Sequence, residues 1–286
     1  MVRVRLYPAF DLVGAPVVIA MCGAAAAVEG VLPLRNRVSK RSHRWPRNVA
    51  FAALAAIVVR GAIVPATQAC ARKASRHRFG LLRWVPLPRG LRSAVGLLAL
   101  DYTMYLWHRA LHAAPLWRFH AVHHADRDLD VTTALRFHAV ELVASLPFRC
   151  VQAAALGVEP SVALTYEIVM QVAALFHHSN VRLPAKLDRA LSCIVVTPRM
   201  HGVHHSVDER ERASNWSVLF SFWDRLHGTF RARDVQPTIG LAAADVPVSP
   251  EAVGPGSCLD ACRQGQGALA QPTSNPCACV AATATS

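Results

Sequence analysis

Eleven of the 14 histidines in this chain lie between Trp107 and Ser206, and their spacing is that of ligands rather than of core filler. Histidine packs poorly into an apolar core because its ring nitrogens need partners when buried. It is also the commonest side-chain ligand for transition metals. In WHRALH, His108 and His112 stand four apart, so a helix places them one turn above each other on one face. In HAVHH, His120 precedes His123 by three positions and His124 by four, so a single helix can offer ligands to two neighbouring ions. HGVHH, with His201, His204 and His205, repeats that geometry further along the chain.

The ligand type narrows the metal. All-imidazole sites suit zinc, iron, copper or nickel, whereas carboxylate-rich sites suit magnesium, calcium or manganese. A structural zinc closes with four ligands and a catalytic zinc keeps three, so this many histidines predict two ions. A zinc-dependent membrane hydrolase is the rival enzyme, but the H-E-x-x-H string of zinc proteases is absent. A non-catalytic metal-binding membrane protein is the other rival, and it would want more polar residues along its spans than Glu167 and Gln171 supply. His43 and His77 sit in basic stretches without a partner at helical spacing and read as solvated or facing lipid headgroups.

The elements that must position these residues are helices in a membrane. The 286 residues are 53% hydrophobic, with a mean hydropathy of +0.26. Lys+Arg 31 against Asp+Glu 18 gives a net charge of +13, which suits an anionic membrane surface. The basic residues do not interleave with aromatics as a nucleic-acid reader requires, so no nucleic-acid partner is expected. Residues 12–28 carry no charge and, continued to Leu34, approach the length of a span. The basic stretch 35–47 reads as a cytoplasmic loop, and 49–71 as a second span kinked by Pro65 and interrupted by Arg60. A third apolar run, 93–107, leads directly into the first histidines. The runs 139–158 and 161–176, divided by Glu159-Pro160, form a helical hairpin that returns to them.

The expected fold is therefore all-α, with polytopic integral membrane helices and a cytosolic helical cap, residues 181–230, that helps carry a histidine-rich dimetal site. Three segments divide the chain: N-terminal membrane helices and basic loops (1–92), a catalytic domain (93–235), and a tail (241–286) too poor in large apolar residues to order itself. Of eight cysteines, Cys22, Cys70, Cys150 and Cys193 read as small buried hydrophobes, while the four in the tail lack the spacing of a zinc module. Carboxylates and amides that can orient imidazoles are Asp101, Asp126, Asp130, Glu141, Asn180 and Asp224. Asp101 and Glu141 lead this set, since a carboxylate in an apolar run is costly unless paired.

WHRALH, WRFHAVHH, LDVTTALRFHAVE, HHSNVRLP, TPRMHGVHHS and FWDRLHGTF together resemble the fatty acid hydroxylase and sterol desaturase superfamily in its bacterial branch, in order and spacing from Asp101 to Phe230. The resemblance implies an O2-dependent, non-haem di-iron enzyme that hydroxylates or desaturates a membrane lipid such as a sterol or fatty acyl chain. It implies two irons at the cytosolic membrane surface, with zinc able to substitute. Matched to the family boxes, the metal ligands are His108, His112, His120, His123, His124, His138, His178, His201, His204 and His205, with Glu141 the acidic member beside His138. His177 occupies a position that varies. Ala139 stands where the family has proline, and Arg199, Trp216-Ser217 and His227 also depart from its pattern without removing a ligand. No flavin or nicotinamide fingerprint is present, so the electrons are expected from a separate reductase, ferredoxin or cytochrome.

This assignment predicts that His204→Ala abolishes activity and lowers metal content, whereas His43→Ala and His77→Ala leave both intact. Metal analysis and turnover on equal amounts of membrane-inserted protein decide it; normal metal in the His204 variant would overturn the shared-cluster reading.

Overall fold

The computed structural model describes residues 7–242 and Asp245, and these are helical, joined by loops with three isolated β-bridges. A π-helical stretch, Ala9–Gly14, runs into α1 (Ala15–Val31). The basic linker leads to α2 (Arg41–Val58), a second π-helical stretch (Val59–Ile63), α3 (Val64–Arg76) and the short α4 (Leu81–Trp84). Next come α5 (Arg89–Leu111), α6 (Trp117–His124), α7 (Ala139–Leu156) and α8 (Pro160–His178). The cap holds α9 (Ala185–Leu191), α10 (Pro198–His204), α11 (Glu209–Arg212) and α12 (Phe222–Leu226). Among the described residues, three segments are long and apolar enough to cross a membrane: Ala9–Val31, Arg41–Trp84 and Ala139–Leu156.

The long helices surround two apolar clusters. Leu100, Met104, Ala153, Val162, Tyr166 and Met170 join α5, α7 and α8, while Ala25, Val131, Ala134 and Leu175 fasten α1 to α8 and the loop before α7. Large apolar side chains such as Leu12, Ile19, Val49, Ile57 and Val151 point outward, as lipid-facing positions do. Pro65, which cannot donate to the carbonyl of Gly61, enters the first turn of α3 directly after the π-helical stretch. The wider turn thus absorbs the break that the sequence predicts there. At the end of α7, a Cβ on Gly80 would lie 2.4 Å from the Gly157 backbone, and both residues have positive φ. Only glycine fits that crossing.

The basic stretch 35–47 is largely exposed, but it is a loop only as far as Lys40, where α2 begins, and one of its arginines turns inward. Arg44 is buried, donating Nε and Nη2 to the Asp126 carboxylate at 2.7 and 2.6 Å and Nη1 to Asp130 at 2.8 Å. Asp128 accepts the backbone N–H groups of Val38 and Ser39. Asp126 and Asp130 therefore anchor a helix and do not orient imidazoles. For Asp126, burial raises the carboxyl pKa, but the hydrogen bonds and charge of Arg44 outweigh it and hold the group below its ordinary value.

Glu29, fully buried in the first span, performs a parallel task. Its Oε1 accepts the N–H groups of Val131 and Asn180, both at 2.8 Å, and its Oε2 pairs with Arg41 at 2.9 Å. Cys193 is exposed rather than buried, since the turn after α9 leaves it at the surface. The four tail cysteines, and the tail beyond Ala242 apart from Asp245, lie outside the described residues.

Arg44→Met would leave three buried carboxylates without their cation, a class of change that costs about 3–5 kcal/mol. We predict a melting temperature lower by about 10 °C, measured on detergent-purified protein. Replacing Asp126 by Asn in the same chain should restore part of it.

Candidate metal centre

The two histidine triplets interlock. His108, His112, His120, His124 and His204 form one group whose ligand atoms all lie within 4.8 Å of one another, and His123, His178, His201 and His205 form a second. In α6 the i, i+4 pair His120 and His124 serves the first group and His123 the second. In the triplet that begins on α10 the roles reverse, with His201 and His205 in the second group and His204 in the first. The groups adjoin: the rings of His124 and His205 stack at 4.2 Å.

The tautomers follow from the outer partners. A carbonyl oxygen only accepts, so a ring nitrogen bonded to one must carry the proton. His108 Nδ1 donates to the Trp216 carbonyl at 2.8 Å, His204 Nδ1 to that of Ser214 at 2.8 Å, and His120 Nδ1 to the Glu141 carboxylate at 3.0 Å. In the second group, His178 Nδ1 donates to Ala174 at 2.8 Å and His123 Nδ1 to Arg136 at 3.3 Å. Each of these rings therefore turns an Nε2 lone pair inward. His123 and His178 face each other with Nε2 atoms 3.0 Å apart, and His178–His201 and His201–His205 repeat the spacing at 3.0 and 3.1 Å.

Lone pairs held at that distance repel unless a cation lies between them. Two nitrogens bound at right angles to one ion at about 2.1 Å stand about 3.0 Å apart, so the spacing fits ligation. In the first group, Nε2 of His112, His120, His124 and His204 is buried with no protein partner. Burial, reinforced by neighbouring imidazoles, pushes the pKa of His124, His201 and His205 well below the ordinary histidine value. These rings are neutral at pH 7, the form that binds metal. The residues present thus fit two transition-metal ions.

Not every expected residue arrives. His138 stands outside both groups: it caps α7, its Nδ1 accepting the Val140 N–H at 3.1 Å. His177 is buried against His201 at 4.1 Å but belongs to neither group. Among the orienting candidates only Glu141 touches an imidazole. Asp101 instead accepts from Phe220 N–H, Trp223 Nε1 and Tyr166 Oη, which binds the cap to α5 and α8. Asp224 accepts the N–H groups of Trp216 and Ser217 and so positions the carbonyl that holds His108. Asn180 exchanges hydrogen bonds with the Arg35 backbone. His43 and His77 are exposed. The carbonyls of Ser214, Trp216, Arg136 and Ala174 escaped sequence reasoning because any residue supplies one. Glu29 had a signal, a lone carboxylate closing an apolar run.

A cavity of about 470 Å³ opens onto this centre. His108, His120, His123, His177, His178 and His201 line one end, and the walls continue between α1, α2, α7 and α8 past Leu142, Ala55 and Val18. Its volume is within the range of small-molecule sites.

The fatty acid hydroxylase family model matches residues 93–229. Over 144 residues, half of this chain, it is 32% identical to the ornithine lipid hydroxylase OlsE of Rhizobium tropici, covering 43% of that protein. It is 29% identical to the alkylglycerol monooxygenase of Caenorhabditis elegans across 49% of this chain and 28% of that one. With human cholesterol 25-hydroxylase it shares 28% identity across 49% of this chain and 51% of that one. The chain thus spans about half the length, or less, of these curated relatives. No solved structure matches it. Residues 93–229, which carry every histidine of both groups, are a fatty acid hydroxylase domain.

Proposed function

We infer that this protein is a membrane lipid hydroxylase that uses O2 and two iron ions. The observation that carries this reading is the pair of adjacent all-imidazole groups at one end of a mostly apolar cavity. His108, His112, His120, His124 and His204 would hold one iron, and His123, His178, His201 and His205 the other. Zinc can occupy the same ligands. The relatives named as hydroxylases and monooxygenases of ornithine lipid, alkylglycerol and cholesterol support hydroxylation over desaturation.

Bound iron would supply the activation of O2 needed to attack an unactivated C–H bond. The protein does the rest. Glu141, Trp216 and Ser214 fix the ring planes, and Met104, Trp107 and Leu142 supply an apolar wall for the substrate chain beside His108 and His120 and keep water from it. In the overall reaction one oxygen atom enters the C–H bond and the other leaves as water. That balance requires two electrons and two protons, for which we assign an external donor protein, a reductase, ferredoxin or cytochrome. It would dock on the cap, which we place on the cytosolic side, and residues 93–235 form the catalytic unit.

Anaerobic reconstitution should load about two irons per chain, read as a coupled pair by Mössbauer spectroscopy, and turnover under 18O2 should put one labelled atom into the lipid product. A mononuclear spectrum, or product without label, would overturn the reading. Glu141→Gln keeps the shape but weakens the hold on His120, and it should lower iron affinity or activity about 10–100-fold. Stripping the metal should reduce the melting temperature, because the inward lone pairs then repel.

A further inference from the structure

Two ion pairs stand at the cavity away from the histidines, and they differ: one lines it with both partners, Arg60 and Asp11, the other with its arginine alone, Arg149, behind which stands Glu167. Arg60 and Asp11 join α2's π-helical extension to the start of the first span through two contacts, 2.6 and 2.9 Å, with Asp11 also accepting the Tyr7 N–H at 2.7 Å. That pair is a wall. Arg149 and Glu167 meet through one contact only, Nη1 to Oε2 at 2.6 Å. Their other ends, Arg149 Nε and Glu167 Oε1, are buried and have no partner. Arg149 lies within a candidate membrane span and lines the cavity. An ionised pair at such a place, holding both a spare donor and a spare acceptor, is costly unless a ligand completes it.

Position gives the pair a scale. Glu141, Ser145 and Arg149 follow one another at four-residue spacing on α7, so they share a face, and all three line the cavity. Glu141 touches His120. Eight residues of helix put Arg149 about 12 Å from Glu141. An extended chain advances about 1.2 Å per bond, as an extended backbone does, so about ten bonds bridge that gap. The pair is neutral as a whole. A carboxylate or phosphate placed there would face Glu167, and an ammonium would face Arg149.

We propose that Arg149 and Glu167 form a positioning subsite for a neutral group that both accepts and donates a hydrogen bond, a hydroxyl or an amide N–H/C=O, on an amphiphile whose apolar body reaches the histidines. The group accepts from Arg149 Nε–H and donates to Glu167 Oε1. The carbon presented to the metal centre then lies about ten bonds away. What happens to that carbon rests on the hydroxylase reading, whereas the orientation is a property of binding alone.

The test uses the full chain in nanodiscs and a dodecanol carrying a diazirine about ten carbons from its hydroxyl. Irradiation and peptide mapping should place the label on Met104, Trp107 or Leu142, beside the histidines. 1-Dodecanol should suppress this labelling at a concentration about tenfold below that needed for dodecane or dodecanoate. Arg149→Met combined with Glu167→Gln should reduce the label at those residues about fivefold or more. Label beside Phe10 or Arg60, suppression by dodecane or dodecanoate as good as by dodecanol, or unchanged labelling in the double variant would each overturn the proposal. The competition needs only the unaltered protein, so a variant that fails to insert does not decide the matter. Because labelling needs no turnover, failure of the 18O2 experiment leaves it readable.

Discussion

Nine imidazoles brought within touching distance in a buried volume can exist together only if they are neutral and if a cation answers the lone pairs they turn inward. Burial and the neighbouring rings enforce the first condition, and the outer partners prepare for the second. By accepting the Nδ1–H of His108, His120, His123, His178 and His204, the outer partners fix which nitrogen faces the centre. Four of these five acceptors are main-chain carbonyls, whose strength does not vary with pH. Only His120 answers to a carboxylate, so it is the one of these five rings that the protein orients with an acidic side chain.

Such a cluster tolerates little motion, and the rest of the fold limits it. Three buried carboxylates each join segments remote in sequence. Glu29 unites the first helix with the loop at Val131 and the turn at Asn180, Asp126 draws α2 onto the loop after α6, and Asp101 draws the cap onto α5. All three work by accepting several hydrogen bonds at once. A second copy of the scheme operates inside the cap, where Asp224 holds the backbone at Trp216 and Ser217.

The helices and the two triplets were legible from residue spacing, because periodicity is a local property. The i, i+3, i+4 pattern of HAVHH and HGVHH implies ligands to two ions without any knowledge of the fold. What spacing does not contain is direction. His138 has the residue type and neighbourhood of a ligand, yet as the residue that begins α7 it turns to cap a free N–H. Asp101 was rightly marked as a carboxylate needing partners, but its partners are Trp223, Tyr166 and a backbone N–H rather than an imidazole. The charge of residues 35–47 misleads for a related reason. Net charge counts side chains but not the acidic loop at 126–130 that neutralises one of them.

The cavity extends the same logic from ligands to substrate. Its histidine end is crowded and rigid, so a guest must be placed by something further off. Along α7 the polar residues facing the cavity fall at Glu141, Ser145 and Arg149. Glu141 is committed to His120, and Ser145 donates its hydroxyl to the Leu142 carbonyl. Arg149 alone of the three keeps a buried donor in hand, and its partner Glu167 keeps a buried acceptor. Polar groups in a membrane helix draw no water to satisfy them, so a pair left half-made there favours whichever guest completes it. Selectivity for one end of an amphiphile thus arises from the same rule that orients the imidazoles: a buried polar atom must find its partner.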